Sequence, residues 1–264
     1  MGRASDKVER MRIVLLAILS ISVYGQDVKP LFPSTGPKPV GPYSPGIGFG
    51  DFVFVSGQGV GDGSGKRPTD TRGQAVQCLQ NVRNILRLGQ LDLANIFSLQ
   101  IYLTDKSQEP IVDQILKDTF SGKIPPRTTL FVPKLPVDTP VEITAFAHRA
   151  RQNGEIEAPT LDRPAGCKAL KQFIQCGVEV AAGGADVEQQ TSAVLGALDA
   201  RLKILGSSIT KVVATNVYLA DMSEFAKMNS AYASFFVLQA PTRSTAQPFA
   251  LPRGRVAISV IAIK

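Results

Sequence analysis

Shifted by 116 positions, the chain matches itself. IYLTD at 101–105 falls on VYLAD at 217–221, Phe120 on Phe236, and PPRTT at 125–129 on PTRST at 241–245. The register holds without a gap over at least 30 residues. Two long copies mean a duplicated domain, not a solenoid, which stacks many short units. Whatever one half folds into, the other must be able to imitate.

Each half carries the same order of signals. In the first, IGFGDFVFVSGQ alternates apolar with small or polar residues around a Gly50-Asp51 turn, a β-hairpin pattern. In QAVQCLQNVRNILRL, Ala75, Cys78, Leu79, Val82, Ile85 and Leu86 recur at helical spacing. NIFSLQIYL reads as a strand, SQEPIVDQILKDTF as a second helix opening near Ser107 and Pro110, and RTTLFVPKL and PVEITAFAH as two closing strands. The order ββαβαββ predicts an α+β fold, a mostly antiparallel sheet with two helices on one face. The second half repeats this with a shorter gap after its hairpin. RQNGEIEAPTLDRP, polar and bearing two prolines, reads as the link. The expected division is a leader at 1–25, one domain at 30–150, a linker at 151–164 and a second domain at 165–264.

The leader expectation rests on MRIVLLAILSISVYG: a basic start, a short apolar run and small residues near Gly25. That is the pattern of an export signal, and the run is short for a membrane span. An exported protein, periplasmic or secreted, is expected if the leader is cleaved, and a cytoplasmic one otherwise. Without those 25 residues the chain keeps 25 basic and 20 acidic residues, a mild excess. No basic run exceeds two residues, so no nucleic-acid partner is expected, whereas small anions suit the charge. Cys167 and Cys176 read as lying along one extended segment. Nine residues at ~3.3 Å each put them ~30 Å apart, beyond disulfide reach, so three free thiols are expected, Cys78 among them.

Histidine-rich metal sites are excluded, because His148 is the sole histidine. His148 follows a strand pattern and reads as a strand-end residue. GVGDGSGKRPTD at 59–70 is faintly like a phosphate loop but fails its glycine spacing and has Arg67 after Lys66, so it reads as a flexible surface loop.

GPYSPGI at 41–47, VFVSGQ at 53–58 and PPRTTLFVPKLPVDTPVEI at 125–143 together resemble the RidA/YjgF family of reactive-intermediate deaminases, once labelled L-PSP endoribonucleases. The likeness covers about 38–149 and, more weakly, 160–264. It implies two chorismate-mutase-like domains and trimers with pockets between subunits. It also implies hydrolysis of 2-imino and 2-enamino acids to 2-keto acids and ammonia, as by 2-iminobutanoate/2-iminopropanoate deaminases, with no metal or cofactor.

A 2-imino acid sets a carboxylate beside a C=N bond, and an arginine can grip that carboxylate through two parallel hydrogen bonds. Arg127 is the expected clamp. Glu142, on the following strand, is the expected water-handling acid, brought beside Arg127 by a hairpin-like return. The likeness implies a pocket role for Tyr43. Ser56 and Gly57 form a turn whose backbone could meet a carboxylate closely, and Thr129 stands where the family often has cysteine. The first half departs from the family's N-x-x-Y on the second helix, reading Asp113 and Leu116, whereas the second half keeps Asn229 and Tyr232.

The second copy reads as degenerate. Its GPY place is matched to CKA at 167–169, its SGQ place to AGG at 182–184, and its glutamate place to Ala257. Arg243 survives and is expected to bind an anion without hydrolysing anything. The expectation is an imine hydrolase acting through the first domain, in a homo-oligomer, a trimer of two-domain chains. The alternative is a non-catalytic binder of small carboxylates. RNA cleavage ranks behind both, since no histidine pair is present.

Overall fold

The computed structural model describes residues 27–150, 166–181 and 183–264. The expected leader at 1–25 and the linker at 151–164 lie outside these. In the first domain, β1 (Lys29–Leu31), β2 (Gly46–Phe49) and β3 (Phe52–Gln58) precede helix α1 (Thr71–Leu88). Then come β4 (Ile96–Leu103), α2 (Glu109–Thr119), β5 (Arg127–Phe131) and β6 (Val141–His148). The second domain runs β7 (Cys167–Ala169), β8 (Phe173–Val180), α3 (Val187–Ile204), β9 (Val212–Leu219), α4 (Phe225–Ala233), β10 (Thr242–Ala246) and β11 (Val256–Ile263). The sheets are ordered β1-β2-β3-β6-β4-β5 and β10-β9-β11-β8-β7. This is the expected α+β architecture, twice.

Helix α1 forms where its apolar stripe lies. Asp70 caps it by accepting a hydrogen bond from Gly73 N at 2.9 Å, satisfying one of the first-turn donors. Ala75, Cys78, Leu79, Val82, Ile85 and Leu86 are all buried against one face of the sheet. Pro110 opens α2, where its missing N–H costs nothing. Among the described residues no helix is long and apolar enough to cross a membrane.

The last two strands of each copy are not a hairpin. β5 joins the sheet edge parallel to β4, while β6 inserts between β3 and β4, antiparallel to both. Arg127 is therefore opposite Leu99, and Glu142 opposite Tyr102. Side chains alternate along a strand and paired residues share a face. Leu99 packs in the core beneath the helices and Tyr102 in a cluster facing the second domain. Arg127 and Glu142 thus belong to opposite faces of one sheet, against the expected hairpin return.

The other faces of the two sheets pack on each other. Phe173 meets Phe52 at 5.0 Å, Phe54 at 5.6 Å and Phe49 at 5.7 Å between ring centroids, edge-on in each case. Offset edge contacts of this kind add to burial. The two tyrosines of the repeated motif, Tyr102 and Tyr218, are both buried in a second shared cluster.

The cysteine expectation is corrected. Strands β7 and β8 run antiparallel with Cys167 directly opposite Cys176, Cα atoms 4.0 Å apart and sulfurs bonded. The chain reverses at 170–172, so nine residues bring the two sulfurs together. Only Cys78 is a free thiol among the described residues, and it is buried.

Candidate functional site at the domain junction

The strands that meet across the junction are β3 and β10. Ser44, in the loop before β2, binds the entry to β10 twice: its N–H donates to Pro241 O at 3.0 Å and its Oγ to Ala240 O at 2.6 Å. Ser56 Oγ accepts from Arg243 N at 2.9 Å and donates to Ser44 O at 2.6 Å. These bonds seat the Tyr43 loop of the first domain over Arg243 of the second.

Arg243 is 3% exposed, and none of its three guanidinium nitrogens has a hydrogen-bond partner. Its guanidinium carbon lies 4.9 Å from the Tyr43 ring centroid, 4.9 Å from Tyr232 and 5.4 Å from Phe225. Ring faces attract the cation but supply no anion. Gly41 makes room, since a Cβ there would come within 2.5 Å of Arg243 Nη2. Burial lowers the arginine's pKa, opposed by Tyr232, Tyr43 and Glu142.

Glu142 is 6% exposed, and its Oε1 has no partner. Burial pushes its carboxyl up to about 8, with Arg243 pulling the other way. A Cβ on Gly57 would lie 2.0 Å from Glu142 Oε1. Glycine at 57 is what lets the acid lie flat against β3. Arg243 and Glu142 line one cavity of about 1110 Å³ with Tyr43, Gly57 and Thr245.

The expected site residues are thus divided. Tyr43, Gly57, Glu142 and Arg243 share the cavity, with Ser56 holding the backbone behind Arg243. Arg127 lies elsewhere, paired at 2.6 Å with Asp113 of α2. Thr129, on the same strand, is half-buried and does not line the cavity, whereas its repeat counterpart Thr245 does. Phe225 was missed by sequence reading and Tyr232 was noted only as a motif remnant. The signal for Tyr232 was the N-x-x-Y pattern, kept on α4 and lost on α2; Phe225 lies outside that pattern. His148 is remote, its ring 4.4 Å from Phe52 and its Nδ1 accepting from Ala150 N.

Two alignments of the second copy also change. Cys167 pairs with Cys176 as Gly46 pairs with Val55, so 167–169 matches 46–48 and the GPY counterpart falls outside the described residues. Glu179 pairs with Ile258 as Gln58 pairs with Ile143, so the SGQ counterpart is 177–179, not 182–184. Ala257 does replace the glutamate, since Tyr218 faces it as Tyr102 faces Glu142. Loop 59–70 is largely exposed, as expected of a surface loop, and its residues 59–65 and Arg67 also wall the cavity. The described residues contain no cluster of metal-ligating side chains.

The family model described as Endoribonuclease L-PSP matches residues 34–149 and 175–264. A RutC family protein of Pyrococcus horikoshii is 31% identical over 121 residues, 45% of this chain and 96% of that protein. An Escherichia coli protein provisionally named reactive intermediate deaminase TdcF is 32% identical over 118 residues, 43% of this chain and 92% of that one. Among solved structures, the YjgF gene product of E. coli is 30% identical, covers 46% of this chain and 98% of its own, and has a TM-score of 0.44. E. coli TdcF with bound serine is 30% identical over 46% and 98%, with a TM-score of 0.43.

Proposed function

We propose that this chain, which belongs to the Endoribonuclease L-PSP family, hydrolyses reactive 2-imino acids to 2-keto acids and ammonia at the domain junction. The observation that carries the reading is Arg243. A buried guanidinium with three unpartnered nitrogens is costly unless an anion completes it. A flat carboxylate fits that fork through two parallel hydrogen bonds, and the C=N carbon beside it then faces Glu142. The deaminase name of the TdcF relative supports the same class.

The proton inventory follows from burial. With its carboxyl raised to about 8, Glu142 keeps its proton at neutral pH. It gives that proton to the imine nitrogen, which makes carbon 2 electrophilic. Water adds there, and the Glu142 carboxylate takes a proton from it. The amino alcohol expels ammonia as its hydroxyl proton moves to nitrogen, leaving the keto acid.

The second domain then supplies the clamp and the first supplies the acid, so neither copy is a relic. The alternative, a carboxylate binder without chemistry, is favoured by the aromatic rings around Arg243, which would hold an anion equally well. Generating imines in situ with an amino-acid oxidase and following keto-acid release separates the two. Arg243→Ala is expected to remove the rate enhancement, Glu142→Gln to remove it while sparing keto-acid binding, and Arg127→Ala to leave most of it. Wild type no faster than spontaneous hydrolysis would sink the enzyme reading. Equal loss in Arg127→Ala would sink the assignment of the clamp.

Two further readings accompany it. The Cys167–Cys176 bond supports an oxidising compartment, hence export. The junction is head-to-tail, using β3 of one domain and β10 of the other; β8 also packs into it through Phe173, while β10's counterpart β5 stays half-exposed. Such contacts propagate until they close, which supports association of several copies through β5.

A further inference from the structure

The cavity around Arg243 and Glu142 is far larger than a three- or four-carbon imino acid requires. At about 1110 Å³ it reaches the size of pockets that enclose drug-sized ligands, roughly 300–1,000 Å³. Its outer wall comes from segments of the first domain. Twelve residues separate β3 from α1, against six between β8 and α3, so the corresponding wall in the second copy is missing.

That wall is built and fixed. Asn81 of α1 donates to the carbonyls of Gly59 at 3.0 Å and Gly61 at 2.8 Å, and Asn84 to Thr35 Oγ1 at 3.2 Å. The two loops touch where Gly63, at φ +85°, leaves no room for a Cβ, which would sit 2.2 Å from Gly36 O. On the opposite rim, Val137 is held at φ 52°, a region that β-branched residues avoid. Arg67 Nη2 pins its carbonyl at 2.9 Å.

The rim's side chains are apolar and open. Phe32 and Val137 are each 59% exposed and Val40 46%, and all three line the cavity. Apolar surface gathered at a concave site marks a binding face. The wall's charges offer little competition: Asp62 is consumed by the N–H groups of Ser64 and Lys66, Arg67 by Val137, and Lys38 is exposed at the edge.

We propose that the substrate is a 2-imino acid with a bulky apolar side chain, aromatic or branched aliphatic, lying against Phe32, Val40 and Val137 while its carboxylate meets Arg243. The chemistry rests on the hydrolase reading above, and the size preference rests on the wall. A hydrophobic wall of this kind discriminates by about 10–200-fold per group removed.

The test compares imines generated in situ from phenylalanine, leucine, alanine and glutamate. In parallel, calorimetry measures binding of the stable keto acids phenylpyruvate, pyruvate and 2-oxoglutarate. Phenylalanine- and leucine-derived imines are expected to show at least tenfold higher kcat/KM than the alanine-derived one, chiefly through KM. Val137→Asp and Phe32→Asp should shrink that ratio at least fivefold, and both positions are exposed enough for the fold to tolerate the change. Equal or better use of the alanine imine, or a preference for the glutamate-derived one, overturns the proposal. If no imine is turned over, the hydrolase reading fails, and binding then decides this one. Phenylpyruvate at least tenfold tighter than pyruvate sustains it; equal affinities end it.

Discussion

Glu142 shows how one residue's surroundings set its chemistry. Its neighbour Gly57 has no side chain, so the carboxyl lies against β3 out of water, and burial raises it to about 8. Two outcomes follow. If the protonated acid starts the reaction, kcat/KM falls as pH rises through about 8, and a pH–rate profile of wild type reads that limb directly. Stability carries the same sign. Between the unfolded value of 4.5 and about 8 the unfolded chain releases this proton while the folded one keeps it, so stability declines as pH rises across that window. Glu142→Gln has no proton to lose. Its melting temperature relative to wild type should climb from pH 5 to pH 8.5, and parallel curves would contradict the raised carboxyl. At this scale the sequence was legible in part. Tyr43, Glu142 and Gly57 stood in recognisable motifs, but the choice between two equivalent arginines did not follow from their identical PxR[ST]T settings. Asp113 against Asn229 was the discriminating pair: an aspartate on α2 neutralises Arg127, while α4 offers Arg243 rings and no countercharge.

Elements were legible where periodicity was long and not where it was short. The α1 stripe named its buried face residue by residue, because eighteen positions repeat the signal five times over. The hairpin of β7 and β8 was missed, since β7 is three residues long and the turn at 170–172, Leu-Lys-Gln, holds none of the usual turn formers. Local pattern also could not say that β5 and β6 flank β4 rather than each other. That pairing places Arg127 and Glu142 on opposite faces, which no spacing along the chain reveals. The junction depends on one side chain above others. Phe173 of β8 reaches three phenyl rings of the first domain. Phe173→Ala should cost about 3–5 kcal/mol, measured by denaturant unfolding. It should also weaken keto-acid binding, because the site exists only while the sheets stay together. A fully stable variant with normal binding would mean the sheets are held by other contacts.

For the whole molecule, the asymmetry between equivalent strands is the informative feature. Every residue of β10 is buried and every residue of β5 is half-exposed, though the two strands share ancestry and sequence. The difference is the neighbouring domain, which covers one and leaves the other open. Light scattering is expected to give a mass of several chains, and Thr128→Arg on β5, at the counterpart of the junction residue Ser244, should lower it while leaving the intrachain cavity intact. A monomeric wild type would contradict association through that edge. The sequence by itself determined the duplication, the α+β order of each copy, the helix faces and the residue types needed for a carboxylate clamp and an acid. Those are properties of short windows and of comparison between windows, which the linear chain carries in full. Only the tertiary structure decided that Arg243 and Glu142, from different copies, line one cavity. By the same register both arginines lie on the helix side of their sheets, and packing of the first domain's Tyr43 loop over β10 brings Arg243 into one cavity with Glu142. The choice between equivalent residues was made by which edge strand the neighbouring domain covers: β10 lies against β3, while β5 stays half-exposed.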